Sequence, residues 1–329
     1  MRDILILCAL TATVVLIAIW SLSAGAVPIP WHIIGNTLFD LEGPKQEFIV
    51  FQSRLPRTLL ALLTGGALAL SGVTVQALLR NPLASPKIIG INSGAALAVC
   101  LLVLVLPGAG LKWLPVAALG GGLLAAAIVT GSADFGRFSS GRLALIGIAV
   151  GFLCDAGVDF ILATSADAQF SAPLIWLTGS LWARGWTHVQ LVWPWLVILA
   201  SLVLVLSFRV DLIQLGDSTA TSLGVAVRPL RLILMGLAAA LAAISVSVVG
   251  VLGFVGLMAP HMARSIIGGA HSRIMPCAVL IGMGLVTLAD ATGRAIAPPI
   301  EVSAGIVTAL FGAPFFVFIM IQSGKRSQV

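Results

Sequence analysis

The side chains in this chain that could do chemistry are few and scattered. Three acids, Asp155, Asp159 and Asp290, fall inside long apolar runs, where an ionisable group marks an ion path or a proton relay. Their spacing lays out no relay, so ion-coupled transport through Asp155 or Asp290 stands as a rival reading. His32, His188, His261 and His271 are far apart, and neither HExxH nor GxSxG is present. No GxxxxGKS or GxxxxGKT loop occurs, so the chain does not hydrolyse ATP by that route. A membrane-embedded enzyme, the second rival, has no visible site. Cys8, Cys100, Cys154 and Cys277 stand singly in apolar runs without a CxxC pair, which points to buried thiols rather than to zinc or a disulfide. No metal site or cofactor of its own is expected.

What must position these groups is a bilayer. Of 329 residues, 59% are hydrophobic and 9% charged, with a mean hydropathy of +1.12. A soluble domain carries roughly a quarter of its residues charged. The 35 glycines suit helices that approach closely in lipid. The net charge of +6 reads as loop charge. It forms no basic stripe with interleaved aromatics, which argues against nucleic acid.

Windows of about 20 apolar residues, the length that crosses the hydrocarbon core, predict ten spans. They are 4–24, 57–79, 88–106, 113–132, 142–163, 189–208, 231–249, 250–264, 275–293 and 303–322. The eighth is short, and Gly250, Gly253 and Gly256 blur its border with the seventh. Residues 172–182 read as an extra short helix outside the membrane. The run from Ile4 to Trp20 is too long for a signal-peptide core and is read as a retained first helix. The predicted fold is all-α, a single transmembrane domain over 1–329.

Ten spans put both termini on one side. With the termini in the cytoplasm, Arg2, Arg80, Lys87, Arg137, Arg142, Arg209, Arg228, Arg231, Arg264, Arg273, Lys325 and Arg326 lie inside. Lys45, Arg54, Arg57, Lys112, Arg184 and Arg294 lie outside. Twelve against six, of the 18 basic residues present, obeys the positive-inside rule.

Four segments carry more information. Arg54-Leu-Pro-Arg57 opens the second span on the outer side, where arginine runs against the charge rule. Taken as residues alone, these and Arg294 read as anchors snorkelling to the headgroups, which does not explain why Pro56 stands between the first pair. In QALLRNPLASPKIIGINSGA, Gln76 to Ala95, Asn81, Pro82 and Pro86 make either a tight hairpin or a substrate contact. Leu215 to Arg231, LGDSTATSLGVAVRPLR, is a long polar stretch on the inner side, with Gly216 and Gly224 bracketing a short helix. Its plain reading is a solvated loop, although connecting two spans needs no such length. The fourth segment, Gly253 to Phe316, holds GFVGLMAPHMAR, Asp290, Arg294, Glu301 and GAPFF. Pro260 beside His261 frees a backbone carbonyl, for a packing kink or for a pore-lining break. Gly147 and Gly151 form a GxxxG, for packing or for a dimer seam.

In order and over nearly the whole chain, these segments resemble the FecCD-type permeases. Those are the membrane subunits of binding-protein-dependent ABC importers for iron–siderophore, haem and cobalamin. Pro173-Leu-Ile-Trp-Leu-Thr-Gly-Ser-Leu-Trp182 is most similar to the ferric citrate type. The family pattern E.P.G becomes Glu301-Val-Ser303-Ala-Gly305 here, with serine for proline. The resemblance implies a bacterial inner-membrane permease that supplies half of a pathway and pairs with itself or a homologue. It implies a periplasmic binding protein docked on Arg54, Arg57 and Arg294. ATP would be bound by separate ATPase subunits, which meet Gly216, Asp217, Leu223, Gly224 and Arg228. It also implies a gate or pathway near Asn81, Pro82, Pro86, Pro260 and His261, lined by spans five, eight and ten. The expected cargo is an iron(III) chelate, with haem or cobalamin as the alternative.

Overall fold

The computed structural model describes residues 1–38, 48–106, 108, 113–134, 140–164 and 175–326. Lys45, Lys112, Arg137 and residues 172–174 of the expected external helix lie outside these. Every regular element among the described residues is a helix, as the composition required. The main ones are α1 (Arg2–Ser23), α2 (Leu55–Leu79), α3 (Ile91–Val105), α4 (Leu114–Asp134) and α5 (Ser140–Thr164). They continue with α6 (Trp186–Val205), α7 (Val227–Val249), α8 (Val255–Ile266), α9 (His271–Ile296) and α10 (Ala304–Arg326).

Seven helical stretches among the described residues are long and apolar enough to cross a membrane: α1, Phe48–Leu79 (which contains α2), α4, α5, α6, α7 and α9. The apolar helices Ile91–Val105 and Ala304–Ile319 are shorter. The expected eighth span, 250–264, is not one helix. Gly250 at φ +78 and Phe254 at φ +64 take left-handed conformations that stop α7 and delay α8 to Val255. The 12 residues of α8 rise about 18 Å, against about 30 Å of hydrocarbon.

The core is built around α2, which is apolar on every side and is therefore buried rather than amphipathic. In the stretch Phe48–Leu79 83% of the apolar window is buried, against 11% in α1 and 17% in α5. Helices α6, α7, α8 and α9 pack on α2, while α3 and α4 pair with each other beside α7 and α5. Lipid gives helices no hydrophobic reason to associate, so close van der Waals contact must hold them. Glycine permits it: a Cβ on Gly65 of α2 would sit 2.3 Å from the carbonyl oxygen of Gly282 of α9, and the reverse holds equally. Hydroxyls buried in this core turn back on the backbone. Thr64 and Thr74 donate to Leu60 O and Leu70 O, and Ser71 reaches Ala238 O on α7 at 2.6 Å.

Candidate functional site

At the end of the bundle where α1 and α9 finish and α2 begins, the three arginines gather. Arg57 Nε donates to Asp290 Oδ1 and Oδ2 at 2.9 and 3.0 Å, and its Nη1 reaches Glu301 Oε2 at 2.8 Å. Arg294, one turn beyond Asp290, donates Nε to Asp290 Oδ2 at 3.1 Å. Its other nitrogens donate to Ala24 O at 2.7 Å, Ser21 O at 3.0 Å and Ser21 Oγ at 2.8 Å. Arg54 donates to Leu22 O and Ser23 O at 2.7 and 2.8 Å, and also to Val27 O.

Open forks were expected here, and the geometry differs. Arg54, Arg57 and Arg294 are 6%, 9% and 4% exposed, and Asp290 is 1% exposed. The physical reason is the C-terminus of α1, whose last carbonyls have no intrahelical donor; the guanidinium groups satisfy them. These are therefore not the weak, water-screened ion pairs of an open surface. Three cations against two acids leave one net positive charge in the cluster. Glu301, its side chain 32% exposed, is the cluster's acid toward solvent. Ser303 fits this bend: its Oγ shares a hydrogen bond of 2.7 Å with Thr178 Oγ1, and Gly305 N–H donates to Gly179 O at 2.8 Å. A proline would lack that hydroxyl.

At the opposite end, the polar stretch forms two short helices, Ser207–Gln214 and Asp217–Ser222. Gly216 at φ +109 and Gly224 at φ +81 bracket the second, as the sequence suggested. Asp217 is its fastening. Its Oδ1 accepts from Arg80 Nη2 at 2.7 Å and Arg231 Nη2 at 2.9 Å, and its Oδ2 from Arg231 Nη1 at 3.2 Å. Hydrogen bonds from Arg231 chiefly, with the Arg231 and Arg80 charges, hold the Asp217 carboxyl below its usual range despite partial burial. Arg80 also donates to Ile213 O at 2.8 Å. Asp211 caps α9 by accepting from His271 N–H at 3.1 Å. The pair is thus tied to the C-terminus of α2 and to the N-termini of α7 and α9. Leu215 and Leu223 are left 61% and 57% exposed, and Arg228 is also exposed. Sequence pattern assigned no role to Arg80, Asp211, Arg231 or His271.

Of the gate candidates, Asn81 and Pro82 adjoin Arg80 and Gln214 at this same end, and the others lie farther along the bundle. Asn81 Oδ1 accepts from Leu83 N–H at 2.9 Å, an Asx turn, and Pro86 opens the 3-10 turn Pro86–Ile89. Pro260 leaves the carbonyl of Gly256 without its helical donor, and that oxygen packs on Gly72, where a Cβ would come within 1.9 Å. His261 stands edge-on to Phe315 with ring centroids 6.0 Å apart, joining α8 to α10. Gly147 rests on Ile88 O, 1.8 Å from an added Cβ, so this end of the GxxxG packs inside the chain. Asp155 and Asp159 are exposed on α5 beside Phe152, Leu153 and Phe160, which are 71%, 73% and 70% exposed. A carboxylate in hydrocarbon costs about 2.5–3.5 kcal/mol, so that face meets water or protein. Among the described residues no three His, Cys, Asp or Glu side chains gather to hold a metal.

Known proteins similar to this chain cover nearly its whole length. The chain is 40% identical to the Fe(3+)-citrate import system permease protein YfmE of Bacillus subtilis (strain 168), over 99% of this chain and 97% of the relative. It is 39% identical to the Fe(3+) dicitrate transport system permease protein FecD of Escherichia coli (strain K12), over 93% and 94%. Among solved structures, an inward-facing metal-chelate type ABC transporter matches with a TM-score of 0.85 and 32% identity, covering 97% of this chain and 99% of that one. The model of the FecCD transport family matches residues 13–322, and the chain belongs to that family.

Proposed function

We propose that this chain is the permease subunit of an ATP-driven importer that carries an iron(III) chelate through the bacterial inner membrane into the cytoplasm. The whole of 1–329 acts as one permease domain. The observation that carries the reading is the short-helix pair fastened by Asp217. A chain without a nucleotide loop presents two small helices outside its bundle, tied by ion pairs to α2 and α7 and capping α9. That is what a lever moved by separate ATPase subunits requires, with Gly216, Leu223, Gly224 and Arg228 on its accessible side. Nucleotide acts through those subunits by differing affinity for the two states of the gate.

Both termini face the cytoplasm and the chain crosses ten times, supported by twelve basic residues against six. In this reading the eighth crossing consists of the break at residues 250–254 followed by α8. The arginine cluster then lies at the periplasmic end and receives carboxylates of a binding protein, Glu301 giving way. The acids exposed on α5 support a pathway shared with a second permease, identical or homologous. An ion-coupled carrier finds less support, because Arg57 and Arg294 occupy the oxygens of Asp290. The deciding experiment reconstitutes the chain with its ATPase and binding protein in proteoliposomes and measures uptake of iron-55 citrate. Uptake should require ATP and loaded binding protein. Uptake driven by an ion gradient without ATP would overturn the proposal.

A further inference from the structure

The left-handed break that separates α7 from α8 also shapes a cavity. Backbone without helical hydrogen bonding is tolerated at membrane depth where it is buried in protein or lines a cavity. Here it does line one, of about 180 Å³, between Gly253–Gly256 and the Ser85–Lys87 turn. Asn92, in the first turn of α3, faces the same cavity. It is 6% exposed, and its side chain makes no hydrogen bond among the described residues. A buried amide normally finds a partner. Ser85 and Lys87 in the lining likewise make no side-chain hydrogen bond there, and Lys87 is exposed. The start of α8, at Phe254 and Gly256, closes the wall with the positive end of its dipole. Discontinuous helices in transporters offer such ends to anionic groups of a substrate. The lining therefore supplies an ammonium, an amide, a hydroxyl and a helix N-terminus, and no carboxylate.

Two close contacts keep the wall in place. A Cβ on Gly256 would stand 2.9 Å from Pro86 Cδ and 3.0 Å from Leu68 O. The absence of a side chain at Gly256 thus lets the start of α8 lie directly on the Pro86 turn and on α2.

We infer that this cavity is a contact site for the transported chelate, and that it selects an anionic, carboxylate-rich iron(III) chelate over an uncharged one. The inference rests on the importer reading and adds to it a residue set and a charge class. The cavity holds one carboxylate arm of a chelate rather than the whole molecule. Lys87 supplies the attraction, and the Asn92 amide donates a hydrogen bond to a carboxylate oxygen. The acids of α5 lie outside this lining.

The test uses the complete transporter with its ATPase and binding protein in proteoliposomes, and two probes: iron-55 citrate and an uncharged iron-55 trihydroxamate. Lys87→Gln and Asn92→Leu should each lower iron-55 citrate moved per ATP hydrolysed about tenfold, and Lys87→Arg should restore it to within about twofold, as expected if charge is the attraction. In a cysteine-free background, Asn92→Cys should react with a small thiol reagent, and iron citrate added during turnover should slow that reaction. Should Asn92→Leu fail to accumulate, Lys87→Gln in the exposed turn decides the matter. Normal transport by Lys87→Gln would overturn the inference and leave the importer reading standing. Wild-type uptake of the trihydroxamate but not of citrate would do the same. ATP-independent uptake, or no uptake of either probe, would overturn the importer reading itself.

Discussion

Arg57 and Asp290 are 233 residues apart in sequence, yet the Nε of one meets both carboxylate oxygens of the other at 2.9 and 3.0 Å. The contact joins the start of α2 to the end of α9, and Arg294 shares the same buried carboxylate. Removing Asp290 leaves Arg57 with Glu301 alone and Arg294 with only neutral acceptors, at a buried site.

Asp290→Asn should therefore lower stability by about 3–5 kcal/mol, the usual cost of breaking a buried ion pair from one side. Thermal unfolding of the detergent-purified protein measures it. Arg57→Met with Asp290→Leu should lose less than the sum of the two single changes, because the partners are coupled.

Glu301 holds Arg57 Nη1 from the solvent side, so its effect should be on docking rather than on folding. With Glu301→Gln the arginine is released toward the periplasm. Binding-protein association should speed up about tenfold at low salt, and the gain should shrink as salt screens it. Stopped-flow association at two ionic strengths reads this out. An unchanged rate would remove the arginine cluster from the docking surface.

The Asp217 latch has a definite pH direction. Its carboxyl lies below the usual value in the folded protein, so the latch is present above the ordinary carboxylate pKa. It is lost only as pH falls through the lower folded value. Coupling of ATP hydrolysis to loaded binding protein should thus be insensitive to this group between about pH 5 and 8. Asp217→Asn should uncouple it throughout that range, as measured by stimulated phosphate release.

Gly224 stands just beyond the second short helix at φ +81, not inside it. Gly224→Pro forces φ to about −65° and should abolish coupling while insertion persists. Gly224→Asn, which tolerates the left-handed region, should retain most of it. Equal loss in both variants would assign the defect to a lost contact rather than to backbone geometry.

Gly72→Val tests the crossing of α2 and α8. A Cβ there would lie 1.9 Å from Gly256 O, with backbone on both sides and no flexible side chain to yield. Overpacking of this kind costs about 1–3 kcal/mol or more, visible as a lower unfolding temperature.

Composition and hydropathy alone determined that this chain is helical and membrane-bound, because the bilayer leaves each backbone amide only its own helix as partner. Gly216 and Gly224 were also readable, since bracketing glycines are a local signal. Where partners are distant in sequence, local pattern is silent. Nothing around Arg54, Arg57 or Arg294 revealed that their forks are filled from α1 and by Asp290 and Glu301. Nor could a window of hydropathy separate 250–264 into a break and a short helix, because glycine and phenylalanine are apolar whatever their φ. That Asn92 is buried without a partner, facing Ser85 and Lys87 across a cavity, was decided only by how α2, α3 and α8 pack. Their approach is fixed by glycine-to-carbonyl contacts such as Gly72 on Gly256, which exist only once the helices have met.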